Sequence, residues 1–223
     1  MRRLLIFIPA AVAAFAAQEV SSVDKRLKTA ASAFGEVMRI PDKSVPLDLL
    51  KKANCVVVIP ELKKGALVFG GKYGRGFASC RHGVEYGAPA AIRIEGGSFG
   101  LQLGGSSTDV VLLIMNQKGM DRLLGDKFTL GGEAAIAAGP IGRETSATTD
   151  VRMTAEILSW SRARGVFIGL SLEGATLRPD SGENEKLYGR PVSNQDILTG
   201  KVSSPARARA FVTSLNHPRT AKH

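Results

Sequence analysis

The chain has 223 residues and a formal net charge of +10, from 30 lysines and arginines against 20 acidic residues. This length suffices for one well-packed domain, and the basic surplus favours anionic partners such as phospholipid headgroups, nucleic acid or acidic polymers. Two cysteines and three scattered histidines are too few for a zinc site, and no stretch after residue 17 has the length of an apolar membrane span.

The first seventeen residues are typical of a secretory signal peptide. Arg2 and Arg3 form a positive start, the apolar run 4–13 is too short to span a bilayer, and Ala14-Phe15-Ala16 offers a cleavage site. An N-terminal membrane anchor is the alternative. We therefore expect an exported protein of the periplasm or cell envelope, with a single domain over 18–223 that carries a net charge of about +8. Export argues against nucleic acid as a partner.

The clearest predicted helix covers residues 19–39. Its apolar residues recur at spacings of three and four, as on one face of a helix, and Pro41 ends it: Val20, Val23, Leu27, Ala30, Phe34 and Val37. This stripe either packs on a sheet or lies in a membrane interface. In the second case the membrane-facing apolar residues are Val23, Leu27 and Phe34, and the headgroup-facing cations are Lys25, Arg26 and Lys28.

A shorter helix is expected from Pro46 to Ala53, burying Leu47 and Leu50. Glycine-separated strands then follow, starting with the β-branched run Cys55–Ile59 closed by Pro60. Further strands are predicted over 66–69, 72–80, 90–94, 98–103 and 109–115. Paired glycines at 70–71, 96–97, 104–105 and 131–132 indicate turns, bulges or bends between them.

The rest of the chain returns to helix through further short strands. Asn116 is expected to cap a helix that runs through Leu124, and strands are predicted over 128–138, 153–161 and 166–177. Ser204 and Pro205 are typical of the start of a C-terminal helix. Because the strand connections are too short for parallel crossovers, we predict an α+β fold. Its largely antiparallel sheet is curled into a sandwich or partial barrel and covered by the N- and C-terminal helices.

Cys55 and Cys80 are 25 residues apart and are predicted on neighbouring strands. In an oxidising compartment they can form a disulfide, and two free buried thiols are the alternative. The sequence leaves both open.

The glycine-rich run 70–76 does not fit a nucleotide-binding loop, because no lysine directly follows the second glycine of its frame and no helix is expected after it. Instead we predict strand, turn and strand, with Lys72 and Arg75 beside the turn and Lys63 and Lys64 before another turn at Gly65. These four cations are candidates for binding a phosphate group.

Catalytic patterns are absent from the sequence. It has no G-x-S-x-G elbow, and two of its three histidines lie in the tail, at His217 and His223. The acidic run 180–185 lacks the alternating oxygen ligands of an EF-hand. We therefore expect no enzyme, no metal site and no cofactor.

Ten short motifs occur in one order along the chain: 53–60, 63–65, 70–76, 96–104, 109–116, 137–143, 159–162, 165–169, 172–174 and 188–189. Together they resemble the SYLF family, also called the Ysc84-type domain, over about residues 20–215. The resemblance implies a lipid-binding module that recognises phosphoinositide-like headgroups, helped by an N-terminal amphipathic helix. Bacterial members are typically exported envelope proteins.

Two departures from the family pattern bear on function. Many members have a tryptophan near the position of Tyr86, and a tyrosine there is a weaker membrane-facing residue. This sequence also has no SH3 domain, and export makes actin an improbable partner. The leading hypothesis is binding to anionic phospholipid membranes. The alternatives are an envelope scaffolding domain with an acidic protein partner, and a carrier of an apolar ligand.

Overall fold

The computed structural model describes residues 10–40, 43–66, 69–99, 106–140, 155–163, 166–167 and 172–220, and the side chains of 10–21, 66, 69–70, 98–99, 106 and 166–167 lie outside this description. Six α-helices occur in the described part: α1 (Ala10–Val37), α2 (Leu47–Lys52), α3 (Gln117–Leu124), α4 (Ser181–Tyr188), α5 (Asn194–Leu198) and α6 (Arg209–Asn216). A 3-10 turn, Ala206–Ala208, precedes α6. None of the described helices is both long and apolar enough to cross a membrane.

Within the described ranges, ten strands form one strongly curled, half-barrel sheet: β1 (Cys55–Ala66), β2 (Phe69–His82), β3 (Glu85–Tyr86), β4 (Ala90–Phe99), β5 (Ser106–Ile114), β6 (Phe128–Thr129), β7 (Ile136–Ala138), β8 (Ile157–Ala163), β9 (Val166–Phe167) and β10 (Thr176–Pro179). The order is β6-β10-β4-β2-β1-β5-β8-β7, with β3 beside β2 and β9 beside β8. Only the β7–β8 pair is parallel among these strands. The predicted α+β fold with a curled, largely antiparallel sheet is confirmed.

Of the glycine pairs predicted to mark turns, bulges or bends, 70–71 and 96–97 form no turn between strands, because both lie inside long strands, β2 and β4. The pair 131–132 does lie in a turn. β1 continues past Pro60 to Ala66. Farther along β2, Gly76 makes room for a neighbouring strand, since a Cβ there would lie 2.0 Å from the carbonyl oxygen of Val58; a Cβ on Gly71 or Gly97 would meet nothing within 4 Å. Lys72 and Arg75 lie within β2 and not beside a turn.

Both faces of the sheet are buried. One face, called the helical face, packs against α1 and α6 through residues such as Val58, Phe77 and Phe211. The opposite face packs against α3 and α5 through residues such as Leu112 and Ile197. The alternation of side chains along each strand assigns its residues to these faces in turn.

The apolar stripe of α1 is packed on the helical face. Val23 and Phe34 are fully buried, and Leu27 is 2% exposed. The structure therefore describes the packed alternative, in which these three residues cannot face a membrane. Their membrane contact would need α1 to leave the sheet, and it stays a prediction.

Tyr86 is buried as well, so it is not an exposed membrane anchor in this structure. Its hydroxyl donates to the carbonyl oxygen of Leu50 over 2.6 Å, and the Arg81 guanidinium lies 4.4 Å from its ring centre. Its backbone exchanges two hydrogen bonds with the side chain of Asn216 in α6. Tyr86 thus ties α2 and α6 to the sheet, and burial raises the pKa of its hydroxyl.

Cys55 and Cys80 face each other across β1 and β2 and form a disulfide. The predicted cap of α3 is also present, since the Asn116 side chain accepts a hydrogen bond from the amide of Gly119. In α2, Leu50 is buried but Leu47 is 39% exposed, so the predicted burial of Leu47 is wrong.

Several predictions fall wholly or partly outside the described residues. They are the signal-peptide segment 1–9, the helix stop at Pro41, the glycine pair at 104–105, and parts of the predicted strands 66–69, 98–103, 153–161 and 166–177 and of the motifs 96–104, 137–143 and 165–169. Residues 10–17 are the first part of α1, so the predicted cleavage site lies within this helix.

Candidate anion-binding groove

A groove of about 300 Å³ lies between α1 and the β1–β2 hairpin. Its lining combines residues of α1 with residues of the two strands: Ser22, Lys25, Arg26, Thr29, Pro60, Glu61, Lys63, Tyr73, Gly74 and Arg75. Four of the seven predicted headgroup-binding residues are therefore brought together here, namely Lys25, Arg26, Lys63 and Arg75.

The α1 side of the groove follows from helix geometry. Ser22, Lys25, Arg26 and Thr29 are spaced by three and four residues, so they share one face of the helix, next to the buried apolar stripe. Because that stripe is fixed on the sheet, the polar side chains beside it are held over the β1–β2 hairpin.

A bulge in β1 forms the groove floor. The pairing register of β1 with β2 shifts between Val58 and Lys63, and Glu61 there has a φ of 52°, which is unusual for a residue other than glycine. The carboxylate of Asp109 accepts a hydrogen bond from the Glu61 amide over 3.0 Å and so supports this conformation. After the bulge, Lys63 stands opposite Tyr73, and both side chains line the groove.

The two arginines of the groove form ion pairs with acidic residues at the start of α4. Arg75 Nε lies 2.5 Å from Asp180 Oδ2, its Nη2 lies 3.0 Å from Glu183 Oε2, and Arg26 contacts the other oxygen of Glu183. The two acidic side chains are 6% and 3% exposed, against 24% and 29% for the arginines. The hydrogen bond to Asp180 raises the pKa of Arg75, whereas burial and then Arg75 lower that of Arg26.

Asp180 and Glu183 balance the charges of the two arginines, whereas Lys25 and Lys63 have no such acidic partner among the described residues. Both are exposed, and neither has an acidic partner within 4 Å in the described part of the chain. Glu61 also stands at the rim and lowers the local charge. An anion that enters the groove would first contact these two ammonium groups. The guanidinium groups of Arg26 and Arg75, held by their ion pairs, lie behind them.

The other three predicted cations lie elsewhere. Lys28 is exposed on α1 but does not line the groove. Lys64 and Lys72 are paired across β1 and β2, and strand alternation puts both on the opposite face. Burial, followed by repulsion from Lys72, lowers the pKa of Lys64, and Lys72 is itself only 8% exposed.

Sequence reasoning missed the two acids that organise the groove. Asp180 and Glu183 belong to the acidic run 180–185, which was compared only with an EF-hand loop, and both are buried. Their spacing of three residues at a helix start, with Gly189 ending that helix in a left-handed conformation, was the available signal. Tyr73 was missed as well; it is 48% exposed on the wall of the groove.

The arrangement suits binding of an anion. Among the described residues that line the groove, none is a histidine or a cysteine. Within the described ranges, no three residues of the metal-ligating types His, Cys, Asp and Glu are close enough to hold a metal ion.

Comparison with known proteins supplies the family. Residues 95–217 match the family model Ysc84, described as "Las17-binding protein actin regulator". The SH3 domain-containing YSC84-like protein 1 of Rattus norvegicus is 32% identical over 203 residues, covering 88% of this chain and 59% of its own length. The LAS seventeen-binding protein 3 of Saccharomyces cerevisiae is 32% identical over 168 residues, covering 74% of this chain and 36% of its own length.

The names of these relatives describe them as SH3-containing or binding proteins and do not describe an enzyme. The chain spans about three fifths of the rat relative and about a third of the yeast one. The α1 and β1–β2 walls of the groove precede the segment that matches the family model, whereas Asp180 and Glu183 lie inside it. The family match over more than half the chain and the relatives above 30% identity show that this chain belongs to the Ysc84 (SYLF) family.

Proposed function

We propose that this chain is a non-catalytic module that binds anionic lipid headgroups, of phosphoinositide-like or other phosphate character, in the groove between α1 and the β1–β2 hairpin. The observation that carries the proposal is the pair Lys25 and Lys63, which face the same groove without acidic partners among the described residues. The anchored Arg26 and Arg75 keep their charge and stay partly exposed beside them.

The expected strength is modest. A lysine close to an anionic membrane contributes roughly 1 kcal/mol, so Lys25 and Lys63 together contribute about 2 kcal/mol, or about thirtyfold in affinity. The interaction should weaken as salt is added, because exposed charges are screened over about 10 Å at 0.1 M ionic strength.

Vesicle co-sedimentation tests this proposal. Wild type should sediment with phosphatidylglycerol vesicles but not with phosphatidylcholine vesicles, and more at low salt than at high salt. A Lys25→Gln/Lys63→Gln variant should lose most of this binding, and a Lys51→Gln/Lys52→Gln variant, which removes the same charge from exposed α2, is the matched control. Equal recovery on both vesicle types, or equal losses in the two variants, would exclude the groove as the site.

An acidic protein partner is the second candidate. The names of the family model and of the yeast relative refer to binding of a protein, Las17, and the same basic groove would suit an acidic segment. Crosslinking in the native envelope separates the two, since one dominant protein adduct that persists without lipid favours scaffolding. The opposite face of the sheet is filled by buried side chains such as Leu112, so nothing described favours the apolar-ligand carrier.

The location of the protein is also proposed and not shown. If residues 1–17 act as a signal peptide, the mature chain begins within α1, and the groove residue Lys25 stays attached to the domain. N-terminal sequencing of the protein from an envelope fraction tests this: a start at Gln18 or nearby supports export, and an intact Met1 in the cytoplasm contradicts it.

A further inference from the structure

A row of three arginines crosses the sheet beside the groove. Arg75 on β2 is paired with Arg93 on β4, and Arg93 is paired with Arg178 on β10, so all three point to the helical face. Neighbouring strands lie about 4.8 Å apart, which spreads the row over about 10 Å. Like charges directly opposite one another on a sheet repel, so such a row needs anions to be stable.

The carboxylates that balance this row are distributed unevenly among the three arginines. Arg75 has two close carboxylates, those of Asp180 and Glu183. Arg93 and Arg178 share the single carboxylate of Glu95, at 3.8 Å and 2.8 Å respectively.

Arg93 is the least compensated of the three. Its Nε is buried and makes no hydrogen bond among the described residues, while the side chain as a whole is 29% exposed.

An open cavity of about 340 Å³ lies where these two arginines meet solvent. Arg93 and Arg178 form its basic wall, and Ser181 and Gly182 of α4 also line it. Two acids line it as well: Asp126, and Asp180, which is already paired with Arg75. It contains neither Lys25 nor Lys63, so it is separate from the groove.

We propose that this cavity, called the arginine cavity below, is a second anion-binding site, specific for a phosphate group of a monoester or diester. A guanidinium group presents a planar fork of donors that matches two phosphate oxygens, whereas it has no such fit to a halide. Arg93 supplies such a fork, because its one acidic partner among the described residues, Glu95, lies as far as 3.8 Å away. Arg178 adds the second positive charge. The site shares no lining residue with the proposed groove, although Asp180, which lines this cavity, also pairs with Arg75 of the groove.

Nuclear magnetic resonance of the folded full chain tests the site with inorganic phosphate as the probe. Phosphate should shift the Arg93 Nε–H signal and the Ser181 and Gly182 amide signals saturably, and chloride at equal ionic strength should not. Arg93→Gln should weaken phosphate binding about tenfold, the size expected for one charge-assisted contact. Asp126→Asn, which removes the opposing exposed charge, should strengthen it by about two- to fivefold.

Controls keep the result interpretable. Arg93→Lys retains the charge and loses the fork, so it should bind phosphate less well than wild type even where Arg93→Gln does not fold. The Lys25→Gln/Lys63→Gln variant should leave the phosphate titration unchanged, which separates this site from the groove. A second titration with phosphatidylglycerol vesicles distinguishes a lipid headgroup from a free phosphate as the source of the group.

Shifts at the arginine cavity with either probe, lost in Arg93→Gln, would support the proposal. It is overturned if neither probe shifts these signals, if chloride shifts them equally, or if Arg93→Lys binds phosphate as well as wild type.

Discussion

Neutralising Glu183 should destabilise the fold and strengthen anion binding at the same time. Glu183→Gln keeps the size of a side chain that is 3% exposed but removes the charge that pairs with both Arg26 and Arg75. Removing one partner of a buried ion pair costs about 3–5 kcal/mol. Because the two arginines are about a quarter exposed and water screens them, we expect about 2–3 kcal/mol here.

Urea unfolding followed by the fluorescence of Trp160, which is fully buried, measures this loss. The matched control is Glu185→Gln on the same helix, where the side chain is exposed and has no ion pair in the described part of the chain. It should change the free energy of unfolding by less than about 0.5 kcal/mol.

The same variant should bind anionic vesicles more tightly, since two guanidinium groups lose a competing carboxylate. A double-mutant cycle with Arg75→Gln then checks the cause: the two losses should not add, because both remove one interaction. Equal unfolding midpoints for Glu183→Gln and Glu185→Gln would refute the anchoring role of Glu183, and additive losses would refute its coupling to Arg75.

Three further outcomes test the framework around the groove. Gly76→Ala should prevent normal pairing of β1 and β2, since its Cβ would lie 2.0 Å from a carbonyl oxygen, whereas Gly71→Ala has open space and should cost at most about 1 kcal/mol; circular dichroism melting compares them. Asn184→Leu should cost about 2–4 kcal/mol in urea unfolding, because this buried amide bonds both the β4 backbone and Asn194. Burial opposes ionisation of Glu156, but two cations of α3 outweigh it and lower its pKa, so its stabilisation is present above about pH 4 and lost as the pH falls further. Glu156→Gln should therefore differ from wild type in unfolding free energy at pH 7, and the difference should shrink below pH 4; a constant difference would contradict this.

The helices and the core strands could be predicted because they depend on local periodicity. The stripe of α1 and the cap at Asn116 are examples in which neighbouring residues alone define the structure. The glycines of β2 were misread, since Gly76 is needed where β1 approaches closely, whereas Gly71 lies within the strand with open space around it. No local pattern contains this information.

The groove was partly predictable for the same reason. Basic residues in α1 and the hairpin were visible as charges, but their distribution over two faces depends on the pairing register, which separates Lys63 from Lys64. The buried acids of α4 lie more than a hundred residues after Arg75. A contact of such sequence separation is decided by the topology of the sheet.

The most direct test of the lipid-binding groove is a lysine-reactivity footprint. Brief acetylation of wild type, read by mass spectrometry, reports which ammonium groups a membrane covers. Phosphatidylglycerol vesicles should protect Lys25 and Lys63, and they should leave Lys51 and Lys52 as reactive as with phosphatidylcholine vesicles. Undiminished reactivity of Lys25 and Lys63, or protection found only at other lysines, would contradict headgroup binding in this groove.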